Sequence, residues 1–258
     1  INAGLASLTY APSPDFTGSD QLSIATNDLG NSGSGGSLTD TDTVAITVQA
    51  VNDSPVNTVP GSQTLNEDGA LVFSSSNSNP LAITDVDAGS NAIQVALGVS
   101  NGTLTLATIS GLTFSSGASG QSSMTIQGTV TAINAGLAGL TYAPSPNFNG
   151  SDQLSIATSD LGNTGSGGPL TDTDTVAITV QAVNDSPVNT VAGSQTVSED
   201  GSLVFSSSNS NRLAITDVDA GSSAVQVALG VSHGTLTLAT VSGLTFSSGA
   251  SSQSTMTI

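Results

Sequence analysis

The stretch INAGLASLTYAPSPDFTGSDQLSIAT, residues 1–26, returns as INAGLAGLTYAPSPNFNGSDQLSIAT at residues 133–158. The offset is 132 residues and the match continues to the end of the chain, so that residues 1–126 and 133–258 differ at 17 of 126 aligned positions. A period of ~130 residues is long for one turn of a solenoid and suits a small self-sufficient domain. We therefore expect one domain per repeat.

The phase of the repeat is set by the segment AVNDSPVNTV, which occurs at Ala50–Val59 and again at Ala182–Val191. Its Asn-Asp-Ser-Pro core disfavours regular structure and follows a strongly alternating strand, as expected of a linker. This phasing predicts the C-terminal part of a repeat at residues 1–50, one complete repeat at 51–182, and the N-terminal part of the next at 183–258.

Alternation of apolar and polar residues predicts strands throughout the repeat. In TDTVAITVQA, residues 41–50, it places Val44, Ile46 and Val48 on one face. In AIQVALGVSNGTLTLAT, residues 92–108, it predicts a β-hairpin whose turn residues Asn101 and Gly102 both have positive φ. Further strands are predicted at Gln63–Leu65, Leu71–Phe73, Leu81–Thr84, Met124–Gln127, Leu140–Ala143 and Gln153–Thr158. A short helix is predicted near Thr131–Ala138. The predicted fold class is all-β, with tandem antiparallel β-sandwich domains and one short helix per repeat.

The charge of the chain excludes several classes of partner. There are 19 acidic residues against one basic residue, Arg212, which gives a net charge of −18. Such a chain repels nucleic acid and anionic membrane surfaces, and its self-repulsion makes a metal ion the first partner to expect.

The rest of the composition limits the class of protein. With no Cys, disulfides and zinc–thiolate sites are excluded, and no apolar run approaches the ~20 residues of a membrane span. The hydrophobic fraction of 36% argues against disorder. Without an initiator Met or signal peptide, the chain is expected to be a piece of a longer protein.

The acidic residues of the complete repeat cluster in turns and at strand ends, in the motifs NEDG, TDVDAG and TDTDT. Two carboxylates about 4 Å apart repel by roughly 4 kcal/mol at an effective dielectric of 20, and a hard cation bound by six to eight oxygens compensates this. Calcium fits such flexible loops better than magnesium. The spacing is not that of an EF-hand, because Ala96 stands where loop position 12 needs Glu. Any calcium site must therefore be assembled from distant segments.

These motifs resemble the cadherin-like, immunoglobulin-like modules of large bacterial surface adhesins. The resemblance lies in VNDSP after a terminal strand, Glu67 in NEDG, the TDVDAG pair, and the segments ATNDLG and ATSDLG before the last strand. It extends over the whole chain through the order and spacing of the motifs. The resemblance implies an extracellular or bacterial cell-surface location, Ca²⁺ at each junction between domains, and neighbouring repeats as partners.

The resemblance also implies ligands for each junction. At the first junction they are Asn52, Asp53, Asp85, Asp87 and Asp160. At the second junction they are Asn184, Asp185, Asp217 and Asp219, with Glu67 and Asp68 from the domain before. Asp28 is the corresponding ligand of the first module, and Glu199 with Asp200 would serve a further junction. The repeat has no Asp-Arg-Glu motif and only one Asp in the linker, so we expect one or two ions per junction and not three.

Several of the acidic residues, and the single histidine, also have simpler interpretations than metal binding or catalysis. Asp85 and Asp87 can act as turn residues that satisfy their own backbone. Asp172 and Asp174 share one face of a strand and can be ligands or solvated edge residues. Asp152 is interpreted as a turn residue. His233, the only histidine, replaces Asn101 of the other copy at a turn, and with no second His or Cys in the chain a catalytic role is not expected.

Two functions follow from the sequence, and neither is enzymatic. The first is a calcium-stiffened stalk that holds an adhesive tip away from a bacterial surface. The second is an extracellular filament or matrix fibre, in which identical chains associate laterally or by strand exchange. An enzyme would require a pocket with convergent polar groups.

Overall fold

The computed structural model describes all 258 residues, which form two compact units, Ile1–Val183 and Asn184–Ile258. Strands predominate, there are two α-helices, and nearly all strand pairs are antiparallel. The predicted all-β class is therefore confirmed. Neither helix has the length and apolar character needed to span a membrane.

The first part of unit 1 is a helix of one turn followed by a long hairpin. Helix α1 is Asn2–Leu5, strand β1 is Gly18–Asn27 and strand β2 is Thr39–Val48. The two strands pair antiparallel over ten residues, from Gly18 opposite Val48 to Asn27 opposite Thr39. Every side chain of β1 is exposed.

The rest of unit 1 contains eleven strands and one longer helix. The strands are β3 (Val56–Thr58), β4 (Gln63–Asn66), β5 (Leu71–Phe73), β6 (Ala82–Thr84), β7 (Ile93–Gly98), β8 (Gly102–Thr105), β9 (Thr113–Gly117), β10 (Ser123–Gly128), β11 (Leu140–Pro144), β12 (Gly150–Ser159) and β13 (Thr171–Gln181). Helix α2 is Val130–Leu137, and a 3₁₀ turn covers Ser75–Asn77. The predicted strands and the predicted helix are confirmed to within a few residues at each end.

Two sheets carry most of this region. One has six strands in the order β4-β13-β12-β7-β10-β9, the other has three in the order β5-β11-β8, and β3 pairs separately with β6. The contact between β13 and β4 is parallel, with Ile178 opposite Gln63 and Gln181 opposite Asn66. The prediction of purely antiparallel pairing was wrong there, because alternation fixes which face is buried but not the direction of the neighbouring strand.

Alternate residues of the strands fill one core. Val176, Ile178 and Val180 on β13 are buried, while the residues between them are exposed. The core also takes Phe73 from β5 and Tyr142 from β11, both fully buried. Burying a large apolar side chain contributes about 1.5–3 kcal/mol, so this alternation is what selects the register of each strand.

Helix α2 closes the core beside β6 and β10. Its Ile133 and Leu137 are fully buried, one turn apart on the same face. The helix begins after Thr129, whose hydroxyl accepts a 3.2 Å hydrogen bond from the Ala132 N–H. The side chain of Asn134 then bonds both backbone groups of Ile83 at 2.8 Å, which joins the helix to β6.

The predicted hairpin at Asn101-Gly102 was wrong. Strand β7 pairs with β10 and β12, whereas β8 pairs with β11, so the chain changes sheets at this turn. Neither turn residue has positive φ. Gly102 is required for a different reason, since a Cβ there would lie 2.4 Å from the Ala143 carbonyl oxygen. The glycine permits two backbone segments to approach closely. The sequence alone does not show whether a glycine serves this purpose or forms a turn.

Unit 2 consists of short strands. They are β14 (Val188–Thr190), β15 (Ala214–Thr216), β16 (Ala228–Gly230), β17 (Ser248–Gly249) and β18 (Thr255–Thr257). Met256 is buried, but Phe205, the counterpart of the fully buried Phe73, is 42% exposed. Most apolar side chains of this unit therefore remain in contact with solvent.

Candidate functional site

Asp160 and Asn52 form the buried part of the candidate site. Asp160 follows the last residue of β12 and is 3% exposed. Its Oδ1 accepts hydrogen bonds from the N–H groups of Gly162 and Leu170, both at 2.8 Å, and its Oδ2 accepts one from Asn52 Nδ2 at 2.6 Å. Asn52 is 5% exposed, and its own Oδ1 is buried without a hydrogen-bond partner.

Asp85 and Asp87 lie in the turn that follows β6. Asp85 Oδ1 accepts from the N–H groups of Asp87 at 3.1 Å and Ala88 at 2.9 Å, so the turn-forming interpretation is correct for this oxygen. Asp87 Oδ2 accepts a 2.9 Å hydrogen bond from the backbone N–H of Asp53 in the linker. The second oxygen of each carboxylate, Asp85 Oδ2 and Asp87 Oδ1, is buried without a partner.

The two carboxyl groups of this turn also contact each other. Burial raises the pKa of Asp85, and the neighbouring Asp87 carboxyl raises it further. Burial also acts to raise the pKa of Asp87, but the hydrogen bond from the Asp53 backbone N–H and the neighbouring Asp85 carboxyl outweigh it, so that the pKa of Asp87 is lowered. Two carboxyls in contact favour one shared proton, and a cation can take the place of that proton.

A cleft of about 360 Å³ brings one further carboxylate to this region. It is lined by Asp15 from the loop before β1, by Asp53 and Asp87, and by apolar residues that include Val86. Sequence reasoning did not single out Asp15. Its φ of 59°, matched by 58° at the equivalent Asn147, shows that the position requires a left-handed turn residue in both copies. The sequence pattern that could have indicated this turn is the Asp or Asn that stands between Pro and Phe in both copies.

Glu67 lies at a different place in unit 1. It directly follows β4 and is 4% exposed. Its Oε1 accepts a 2.7 Å hydrogen bond from the Val183 N–H, and its own N–H donates to the Gln181 carbonyl at 3.0 Å. Its Oε2 is buried without a partner. Glu67 therefore contacts the last residue of unit 1, whereas the neighbouring Asp68 is exposed.

Unit 2 repeats the geometry of the acidic turn 132 residues later. Asp217 Oδ1 accepts from the N–H groups of Asp219 and Ala220, both at 3.0 Å. The N–H of Asp185 donates to Asp219 Oδ2, as that of Asp53 does to Asp87. Asn184 Nδ2 donates to the Asp185 carbonyl at 3.2 Å. The four residues of unit 2 that were predicted for the second junction are thus all connected by hydrogen bonds.

Asp28 repeats the loop geometry of Asp160 in the first module. Its Oδ1 accepts hydrogen bonds from the Leu38 N–H at 2.8 Å and the Gly30 N–H at 2.9 Å. These two bonds lower the pKa of Asp28. Here, however, the carboxylate is exposed.

Asp152 has a role that the sequence did not indicate. It lies within β12, not in a turn, and is 8% exposed. Its carboxylate accepts the Ser100 N–H at 3.0 Å, the Asn101 N–H at 2.9 Å and the Tyr142 hydroxyl at 2.9 Å. It therefore holds the connection between the two sheets. The only available signal was that Tyr and Asp recur ten residues apart, as Tyr10 and Asp20, which are also hydrogen bonded.

Two other predictions concern single residues. Asp172 Oδ2 accepts a 2.7 Å hydrogen bond from the Asn57 N–H, which joins β13 to β3 and gives this carboxylate a structural partner. His233 is exposed in unit 2. Asp174 shares the half-buried face of β13 with Asp172.

No group of three or more acidic or histidine side chains converges closely enough to hold a metal ion as the side chains stand. Comparison with models of known protein families and with curated protein sequences finds no match.

Proposed function

We propose that the chain is a structural, non-enzymatic segment of a long extracellular array of cadherin-like modules, on a bacterial surface, with Ca²⁺ bound where consecutive modules meet. We also propose that each module is a β-sandwich. The single core supports this, because it receives Val95 and Ile178 from the six-stranded sheet and Phe73 and Leu104 from the three-stranded sheet. Two sheets that bury their alternating faces against each other make a sandwich.

One observation carries the calcium proposal. Asn52 Oδ1, Asp85 Oδ2 and Asp87 Oδ1 are all buried and unpartnered, and they come from segments joined by the hydrogen bonds of Asp53 and Asp160. An unsatisfied buried acceptor costs about 1–3 kcal/mol, more when it is charged. Oxygen atoms with no nitrogen or sulfur among them are the ligands of a hard cation, and Ca²⁺ takes six to eight of them.

Glu67 supports a second position for an ion. Its unpartnered Oε2 is buried beside the backbone of Val183, immediately before the Asn-Asp sequence of the second linker. A buried carboxylate with one free oxygen is costly in the same way as the acidic turn. A cation held there would link the end of β4 to the chain that leaves the module.

The functional consequence is stiffness. Carboxylates crowded at a junction repel one another, and an ion that binds them fixes the linker against the acidic turn. Binding at millimolar calcium to sites of 10⁻⁴–10⁻³ M affinity adds about 0.4–1.4 kcal/mol per ion.

The test compares melting in calcium and in chelator. For the unit that contains the complete module, one ion should raise the midpoint by about 1–6 °C in millimolar calcium. Asp87→Asn should abolish most of the rise, whereas Asp40→Asn, which removes the same charge from the exposed strand β2, should keep it. Equal midpoints in calcium and chelator for the wild-type chain would refute the proposal.

A second candidate is a fibre built by strand exchange between copies. The β1–β2 hairpin exposes Leu22 by 39%, Ile24 by 41% and Val44 by 54%, whereas their counterparts in the complete module are fully buried. A hairpin with these exposed apolar side chains can pair with the β16 strand of another copy in the register that β12 and β7 use. In that register Ala25 faces Ala228, as Ala157 faces Ala96.

Cysteine substitution tests this alternative directly, because the chain has no native Cys. The double variant Ala25→Cys, Ala228→Cys should form intermolecular disulfides and ladders on a non-reducing gel. Gln21→Cys with Ala228→Cys, which is displaced by four residues, should not. Monomers in both cases at high protein concentration would rule out strand exchange.

A further inference from the structure

The loop that connects β12 to β13 lies directly against the linker that enters the complete module. We call residues 161–169 the clasp loop and residues 50–52 the linker segment. The Asn52 N–H donates to the Ser166 carbonyl and the Ser166 N–H donates to the Ala50 carbonyl, both at 3.0 Å. Val51 and Ser166 thereby form a parallel β-bridge. These bonds join backbone to backbone and need neither a metal ion nor a particular side chain.

The approach of the two segments is close enough to require glycine. Gly165 has a φ of 74°, and a Cβ there would lie 2.6 Å from both the Asn52 nitrogen and the Val51 carbonyl carbon. The Gly168 carbonyl accepts a further bond from Asn52 Nδ2 at 3.0 Å. The glycines of this loop therefore create a surface that a backbone can occupy, which a loop with side chains would not offer.

The clasp loop obtains its shape from contacts that do not include the linker segment. Asp160 accepts the N–H groups of Gly162 and Leu170 at its two ends. Asn163 Nδ2 donates to the Ala92 carbonyl at 2.7 Å, which joins the loop to the segment before β7. A surface held in place in this way loses little conformational entropy when it binds.

The first module contains the same loop with nothing against it. Residues 29–37 differ from the clasp loop at only two positions, and Asp28 accepts the N–H groups of Gly30 and Leu38 as Asp160 does in the other copy. Gly33, the counterpart of Gly165, has a φ of 91° and no atom within 4 Å of its Cβ position. The loop therefore adopts similar end contacts whether or not a linker segment lies beside it.

We propose that the clasp loop is a binding surface for the Ala-Val-Asn backbone of an incoming linker, and that it fastens the junction without metal. This inference goes beyond the calcium proposal and does not depend on it. Its consequence is that the junction keeps part of its order in chelator, with Asn52 already placed beside Asp160.

The matched pair Gly165→Ala and Gly33→Ala tests the clasp by amide hydrogen exchange in chelator. Both substitutions place Ala at a positive φ, which costs about 1–2 kcal/mol, but only the first also meets the linker. Gly165→Ala should speed exchange at the Asn52 and Ser166 amides by about tenfold or more, since these bonds would open. Gly33→Ala should leave both amides at the wild-type rate.

A second pair of variants controls for the case in which the loop of Gly165→Ala rearranges and keeps its bonds to the linker segment. Ser166→Pro removes the N–H that bonds Ala50, and Ser34→Pro makes the same change in the first module. Spin labels on Thr43→Cys and Ser116→Cys, which lie on exposed positions of β2 and β9, report the spread of distances across the linker. Ser166→Pro should broaden that spread in chelator, and Ser34→Pro should not.

The outcomes separate the two proposals. Wild-type exchange at Asn52 and Ser166 as fast as in an unfolded peptide, or equal behaviour of the two members of each variant pair, would overturn the clasp. Adding millimolar calcium to the same samples tests the metal site alone. If calcium leaves the distance spread of Ser166→Pro unchanged, this counts against the ion and leaves the chelator result for the clasp intact.

Discussion

Replacing Asp152 by Asn should destabilise unit 1 by about 2–4 kcal/mol at pH 7. The carboxylate accepts the N–H groups of Ser100, Asn101 and Gln153 and the hydroxyl of Tyr142, all between 2.8 and 3.0 Å. An amide group presents an NH₂ to donors that need an acceptor, which leaves one or two of them unsatisfied at about 1–3 kcal/mol each. Unit 1 should then melt about 2–4 °C lower per kcal/mol, measured by calorimetry.

The first module supplies the matched control. Asp20 accepts the Tyr10 hydroxyl at 2.8 Å, as Asp152 accepts that of Tyr142, but the pair is exposed. Asp20→Asn should therefore cost less than about 0.5 kcal/mol. Equal effects of Asp20→Asn and Asp152→Asn would refute the argument that burial gives this carboxylate its importance.

The same prediction has a definite pH dependence. Burial acts to raise the pKa of Asp152, but the hydrogen bonds that it accepts from Gln153, Ser100, Asn101 and Tyr142 outweigh this effect and lower the pKa. A carboxyl with a lowered folded-state pKa stabilises fully above its unfolded pKa of about 3.9, and the stabilisation is lost as pH falls through the lower folded value. The difference between wild type and Asp152→Asn should therefore shrink below about pH 4. A difference that is constant from pH 7 to pH 2 would contradict the electrostatic explanation.

Three further predictions concern single groups. Burial raises the pKa of Tyr142, and its hydrogen bond to the Asp152 carboxylate raises it further. The stability of unit 1 should therefore fall as pH rises above about 10, where the tyrosine of the unfolded chain ionises. Tyr142→Phe should remove this fall in melting curves recorded at alkaline pH. In chelator, Asp85→Asn should leave the stability of unit 1 unchanged or raise it by less than about 1 kcal/mol, because the charged form of Asp85 is disfavoured beside the Asp87 carboxyl. In calcium, the same variant should lack the rise in melting temperature that the wild-type chain shows. A loss of stability in chelator would contradict the contact between the two carboxyl groups. Gly102→Ala, whose Cβ would meet the Ala143 carbonyl oxygen at 2.4 Å, should destabilise unit 1 by at least about 2 kcal/mol. Gly61→Ala in the same unit, with no atom within 4 Å of the added Cβ and no positive φ, should cost less, and equal urea midpoints for the two variants would refute the close-approach argument.

The sequence predicted elements better than connections. Alternation in residues 92–99, and in TDTVAITVQA, which recurs at residues 173–182, located the strands and their buried faces in the complete module, because burial of Val, Ile and Leu is a local property of a two-residue period. The parallel contact of β4 with β13 depends on how distant segments meet, which alternation does not encode. The same holds for Gly102, where a turn and a close backbone approach require the same residue.

The candidate site was predicted in part. The resemblance to cadherin-like modules implied that Asn52, Asp53, Asp85, Asp87 and Asp160 belong together. Hydrogen bonds join Asp53 to Asp87 and Asn52 to Asp160. Asp152 was misinterpreted, because an Asp after Asn-Gly reads locally as a turn residue and its partners lie 51 and 52 residues away. The clasp loop was not predicted, since its contacts are backbone bonds that any glycine-rich loop could make.

The parallel pairing of β4 with β13 determines how the complete module responds to a pull on its two ends. Strand β4 lies near the N-terminal linker, and β13 leads to Val183 at the other end. Tension along the chain therefore slides these neighbouring strands in opposite directions, so that the four residue pairs from Ile178–Gln63 to Gln181–Asn66 are loaded together in shear and not unzipped one at a time. A thread of such modules would resist hydrodynamic drag until this short patch ruptures as a whole.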